Sequence, residues 1–84
     1  MSLKVKGIYS DGMVLQRDVV NCAFGVAEPG AKVVLNFRDS EFSCVCDAEG
    51  NWKIEYDVGK AGGPFELKIS CGNENVLFKD VFVG

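Results

Sequence analysis

A hydrolytic nucleophile needs a base beside it, and the base that most often serves an activated serine or cysteine is histidine. This chain contains no histidine. Ser2, Ser10, Ser40, Ser43 and Ser70 are accounted for as loop or solvent-face residues, and none sits in a Gly-x-Ser-x-Gly elbow. The cysteines are Cys22, Cys44, Cys46 and Cys71. Cys44 and Cys46 lie two apart in a segment that reads as a strand, so both point to the same face as Phe42 and fit the role of small core hydrophobes. Buried free thiols are the expectation, with a Cys22–Cys71 bridge across the core as the alternative. A cysteine-only zinc site is disfavoured because Cys-x-x-Cys knuckles are absent. No catalytic, metal-binding or cofactor-binding residue is therefore expected.

The 12 carboxylates fall outward or in turns, without a pair forced together in a cleft as glycoside chemistry requires. Asp47, Glu49, Gly50 and Asn51 faintly resemble a calcium loop, but Val58 stands where its bidentate glutamate belongs, so a plain turn is the better reading. A net charge of −3 offers no basic field for phosphates, which argues against nucleic acid and anionic membrane surfaces as partners. No apolar run approaches the ~18 residues of a bilayer span, and no basic stretch followed by an apolar one marks a signal peptide.

The elements that carry these residues have a period of two. Val33, Leu35 and Phe37 alternate with polar neighbours; so do Trp52, Ile54 and Tyr56, and again Phe65, Leu67, Ile69 and Cys71. Cys22, Phe24 and Val26 form the expected core face of another strand, with Val34 the one apolar outlier of its own. The segments Glu41 to Asp47 and Trp52 to Val58 read as a hairpin closed at Asp47–Asn51, and a last strand runs from Val76 toward Val83. Breaks fall at Asp11-Gly12, Glu28-Pro29-Gly30, Gly59 to Pro64 and Gly72-Asn73. In 84 residues this predicts one all-β domain spanning 1–84: an immunoglobulin-like β-sandwich of two antiparallel sheets with seven or eight short strands, with a small closed barrel as the alternative. The Cys-Trp-Cys spacing of antibody domains is missing.

The run Ser10, Asp11, Gly12, Met13, Val14, Leu15, Gln16, Arg17 resembles the segment that opens sialate O-acetylesterases, which reads Ser-Asp-Asn-Met-Val-Leu-Gln-Arg. Only Gly12 departs, and glycine and asparagine both tolerate positive φ. The likeness continues in order through Gly25, Ala27, Glu28, Pro29 and Gly30, then Asp47, Gly50 and Trp52, then Ala61 to Pro64, and finally Lys79, Asp80, Val81 and Gly84. In that family a Gly-Gln-Ser-Asn block carrying the nucleophilic serine of an SGNH-type hydrolase domain comes later, and this chain ends before it. The resemblance implies an N-terminal accessory domain, truncated before the catalytic domain and without activity of its own.

On that reading the partner is the hydrolase domain of the same parent chain, with an acetylated glycan met only through the parent. The expected interdomain contacts are Ser10, Asp11, Met13, Gln16 and Arg17 together with Val81, Phe82 and Val83, whose apolar finish to the chain calls for a neighbour. Secreted, periplasmic and cytoplasmic parents are all compatible with it. A free-standing sugar-binding or adhesive sandwich, using its loops or Val34 and Tyr9, is the competing class.

Overall fold

The computed structural model describes residues 3–7 and 9–84. They form eight strands and, among the described residues, no helix: β1 (Lys4–Lys6), β2 (Val14–Leu15), β3 (Val20–Val26), β4 (Lys32–Phe37), β5 (Ser40–Val45), β6 (Asn51–Asp57), β7 (Gly62–Cys71) and β8 (Glu74–Val83). One sheet has the order β1-β3-β6 and the other β2-β8-β7-β4-β5. The fold is thus an all-β, two-sheet sandwich. Its pairings are antiparallel except one: short β2 runs parallel to β8 at the sheet edge, with Val14 opposite Phe82 and Leu15 opposite Val83.

The core lies between the sheets. Val33, Leu35 and Phe37 of β4 and Leu67 and Ile69 of β7 face Trp52, Ile54 and Tyr56 of β6, all nearly sealed from solvent, as their period-two spacing requires. Rings join the layers: Phe37 meets Tyr56 edge-on at 6.3 Å, and Phe42 of β5 lies 6.1 Å from the same ring. Phe42, Cys44 and Cys46 share the inward face of their segment as expected, and all four cysteines are free thiols.

Two expectations are corrected. The Asp47–Asn51 segment is not a hairpin, because β5 pairs with β4 and β6 pairs with β3, in opposite sheets. Both flanking segments carry a large apolar face, and an arch that crosses the sandwich lets the two faces cover each other, whereas a hairpin would leave both needing a third layer. Asp47 shapes the arch: its Oδ1 accepts from the main-chain N–H of Glu49 and of Asn51, both at 2.9 Å.

The phase of β3 is also reversed. Ala23, Gly25 and Ala27 face the core, while Phe24 is 44% exposed and Val20 64%. Size decides the matter. Gly25 sits opposite Trp52 and Ala23 opposite Ile54 on the shared inner face, and a Cβ on Gly25 would stand 2.9 Å from the Trp52 ring and 1.9 Å from the Lys4 carbonyl oxygen. Small residues inward give the bulky β6 face its room; bulk inward from both strands would not fit.

Candidate functional site

The strands bring the Ser10–Arg17 segment and the Val81–Val83 segment side by side, though they stand at opposite ends of the chain. The Phe82 N–H donates to the Met13 carbonyl and the Gly84 N–H to the Leu15 carbonyl, each at 3.0 Å, and the Arg17 N–H reaches the Gly84 carbonyl at 3.3 Å. At the head of the segment the Asp11 carboxylate accepts from the Lys79 N–H at 2.8 Å, while the Gly12 N–H donates to the Lys79 carbonyl at 2.9 Å. Asp11 and Gly12 therefore hold Lys79 of β8 through both of its main-chain polar groups.

Lys79 stands just before the point where β8 changes phase. Val76 and Phe78 lean on the core, so strict alternation would turn position 80 inward and leave Val81 and Val83 in water. Asp80 instead adopts a φ of 56°, the β7–β8 register shifts between Phe65 and Leu67, and Val81 and Val83 return to the core. An extra residue in one strand is a β-bulge, which re-aims the side chains beyond it. The clamp from Asp11 and Gly12 satisfies the main-chain groups the bulge would otherwise leave unpaired.

The eight expected contact residues thus divide. Val81 and Val83 are buried in this domain's own core, so their side chains are not available to a neighbour; the apolar finish to the sequence is core packing. Met13 is half-buried against the same core. Asp11 is exposed but engaged with β8. Ser10, Gln16, Arg17 and Phe82 are exposed. Val14, which the sequence did not single out, is 68% exposed directly opposite Phe82 at 42%, so an apolar pair stands on the outer face of the larger sheet. Its signal is the alternation itself: Leu15 and Val83 go inward, so Val14 and Phe82 must go out. Phe82 packs closely on Gly63, where a Cβ would come within 2.8 Å of its ring.

Of the residues named for the sugar-binding alternative, Tyr9 is engaged inside the domain, while Val34 lies on the outer face of the larger sheet. Tyr9 is half-buried: its hydroxyl contacts that of Tyr56 and donates to the Cys22 carbonyl at 3.3 Å, and its ring lies 5.6 Å from Phe78. Burial raises both tyrosine hydroxyls above their ordinary range, that of Tyr56 furthest. Val34 is half-buried between Ser43 and Ser70 of its neighbouring strands.

An open cleft of about 470 Å³ at one end of the sandwich gathers Ser40 with Asp39, Asp57, Lys60 and Arg38. Arg38, at a φ of 56° in the β4–β5 turn, lies 4.3 Å over the Phe65 ring and donates to the carbonyls of Val58 at 3.0 Å and Lys60 at 2.9 Å. It ties the two sheets together across the cleft floor. Cys44 and Cys46 are poor nucleophiles for the same reason that they pack well: burial raises the Cys44 thiol, and burial with the neighbouring Cys71 raises that of Cys46, away from the reactive thiolate. Among the described residues no group of three or more His, Cys, Asp or Glu side chains is placed to hold a metal ion.

No protein-family model matches this chain, and no curated protein does. Among solved structures the fold matches XAC1771, a carbohydrate acetylesterase from Xanthomonas citri, with a TM-score of 0.84 and 33% identity. The match covers 89% of this chain and 17% of that one. What is shared is a small segment of a much longer enzyme.

Proposed function

We propose that this chain is a non-catalytic accessory domain of a carbohydrate acetylesterase resembling sialate O-acetylesterase, and that the outer face of its β2–β8 edge rests on the hydrolase domain of that protein. The observation that carries the reading is the 33% identity with a carbohydrate acetylesterase over 89% of this chain but 17% of the enzyme. The run from Ser10 to Arg17, one residue away from the opening of the sialate O-acetylesterases, supports the finer assignment. In this reading Val14 and Phe82 form the apolar centre of the contact, with Ser10, Gln16 and Arg17 as its polar rim. Val81 and Val83 serve it from inside by anchoring β8 so that Phe82 points out. An acetylated glycan is met by the hydrolase domain.

The natural reading frame tests this. Continuation past Gly84 into a Gly-Gln-Ser-Asn block, with acetylesterase activity that needs the downstream domain, is the expected result. A frame that closes at Gly84, or glycan binding by the 84 residues alone, would establish the free-standing module instead.

A further inference from the structure

The opposite side of the sandwich carries a second apolar surface. On the outer face of the three-stranded sheet, Val20, Cys22, Phe24 and Val26 follow one another along the central strand β3: Val20 and Phe24 are exposed, Cys22 and Val26 half-buried. Cross-strand register fixes what flanks them. Lys4 stands beside Val26 and Lys6 beside Phe24 on β1; Asn51, Lys53, Glu55 and Asp57 stand beside Val26, Phe24, Cys22 and Val20 on β6. An apolar stripe rimmed by charge is the composition of a contact surface.

Two copies of this face can meet across a two-fold axis lying in the plane between them. With the axis along the strands, Lys6 of one copy falls over Lys53 of the other, cation on cation. With the axis perpendicular to the strands, through the middle of the stripe between Cys22 and Phe24, the rows exchange differently. Lys53, which lies 3.7 Å from Glu55 along its own strand, then also meets Glu55 of the second copy, so that the two pairs form one alternating set of four charges; Asn51 meets Asp57, the Phe24 ring meets the small Cys22, and Val20 meets Val26. Lys4 and Lys6 lie opposite rows that β1 does not reach. Charge and size choose the same arrangement.

We propose that a second copy of this chain covers this face, sheet on sheet, in a symmetric dimer held by Val20 and Phe24 and oriented by paired Lys53–Glu55 contacts. The surface is independent of the β2–β8 edge and lies on the other sheet, so the dimer is compatible with a hydrolase domain on the far side. Three strands of this length offer a face of roughly 20 by 15 Å, about 300 Å² on each copy against the ~800 Å² per partner of a standard interface, so the dimer is a weak one that forms only as concentration rises into the high micromolar range.

Sedimentation of the 84-residue chain over a concentration series tests it. The expected result is reversible dimerisation. Glu55→Lys, which sets Lys53 against a second cation, and Lys53→Glu, which sets Glu55 against a second carboxylate, each weaken it by at least about tenfold. An equimolar mixture of the two variants recovers association, because every cross-interface pair is again opposite in sign. Lys53 and Glu55 are both mostly exposed, and the ion pair they make along β6 is a surface one that contributes little to stability, so circular dichroism and the unfolding midpoint stay close to those of the parent chain. A chain that remains monomeric at all concentrations, single variants that dimerise as well as the parent, or a mixture that fails to recover would each overturn the proposal.

Discussion

Asp11 takes a main-chain N–H 68 residues away in the sequence, and with the Gly12 N–H it holds Lys79, next to the Asp80 at which β8 changes phase. A hydrogen bond to a charged group contributes about 1.5–3 kcal/mol. Asp11→Ala is therefore expected to lower unfolding free energy by about that amount, with Asp11→Asn losing less, as measured by urea denaturation. A second residue-scale consequence concerns Tyr9 and Tyr56, whose hydroxyls burial holds protonated above the ordinary tyrosine range. Their raised folded-state values leave stability intact below about pH 10; above it the unfolded chain releases protons that the folded chain retains, so stability falls as pH rises. The Tyr9→Phe/Tyr56→Phe pair is expected to flatten that alkaline loss of stability, read by denaturation at a series of pH values. At this scale the sequence was only partly legible. Ser10 to Arg17 stands out as a landmark, but that it is a clamp depends on Lys79, a partner that no local pattern reveals.

At the scale of the element, the strands with one bulky face were readable in phase: β4, β6 and β7 each alternate large apolar with polar side chains, and the structure buries the apolar set. β3 was not, because both of its faces are apolar and bulk pointed to the wrong one. A strand opposite Trp52 and Ile54 must be small on the inside, a constraint set by the neighbour and invisible in the strand itself. The same limit hid the arch at Asp47–Asn51, where a turn is plain in the sequence but the sheet to which each arm belongs is not. Phase has measurable consequences. Phe24→Ser is expected to change stability of the monomer by less than about 0.5 kcal/mol, as outward substitutions do. Gly25→Ala, which drives a methyl into the Lys4 carbonyl and the Trp52 ring, is expected to cost at least about 2 kcal/mol or to detach β1. Equal effects from the two substitutions, in side-by-side thermal unfolding, would restore the opposite phase.

For the whole molecule, composition and periodicity were enough to read an all-β sandwich, and the pairing of its sheets bears that out. Function was legible only through one collinear resemblance, which the 33% identity to a carbohydrate acetylesterase over 89% of this chain supports at the coarser level. The structure adds that the two outer faces are unequal: the larger sheet shows Val14 and Phe82 at its edge, the smaller shows the β3 stripe along its centre. Those two faces are where the proposed contact with the hydrolase domain and the proposed dimer contact lie. The central claim is that this domain supports acetyl-ester chemistry carried out elsewhere in its parent, and the most direct measurement is release of acetate from an acetylated sugar by the purified 84 residues, alone and joined to their natural downstream polypeptide. The account predicts no turnover above buffer from the domain alone and turnover from the longer protein; acetate released by the 84 residues themselves would contradict it.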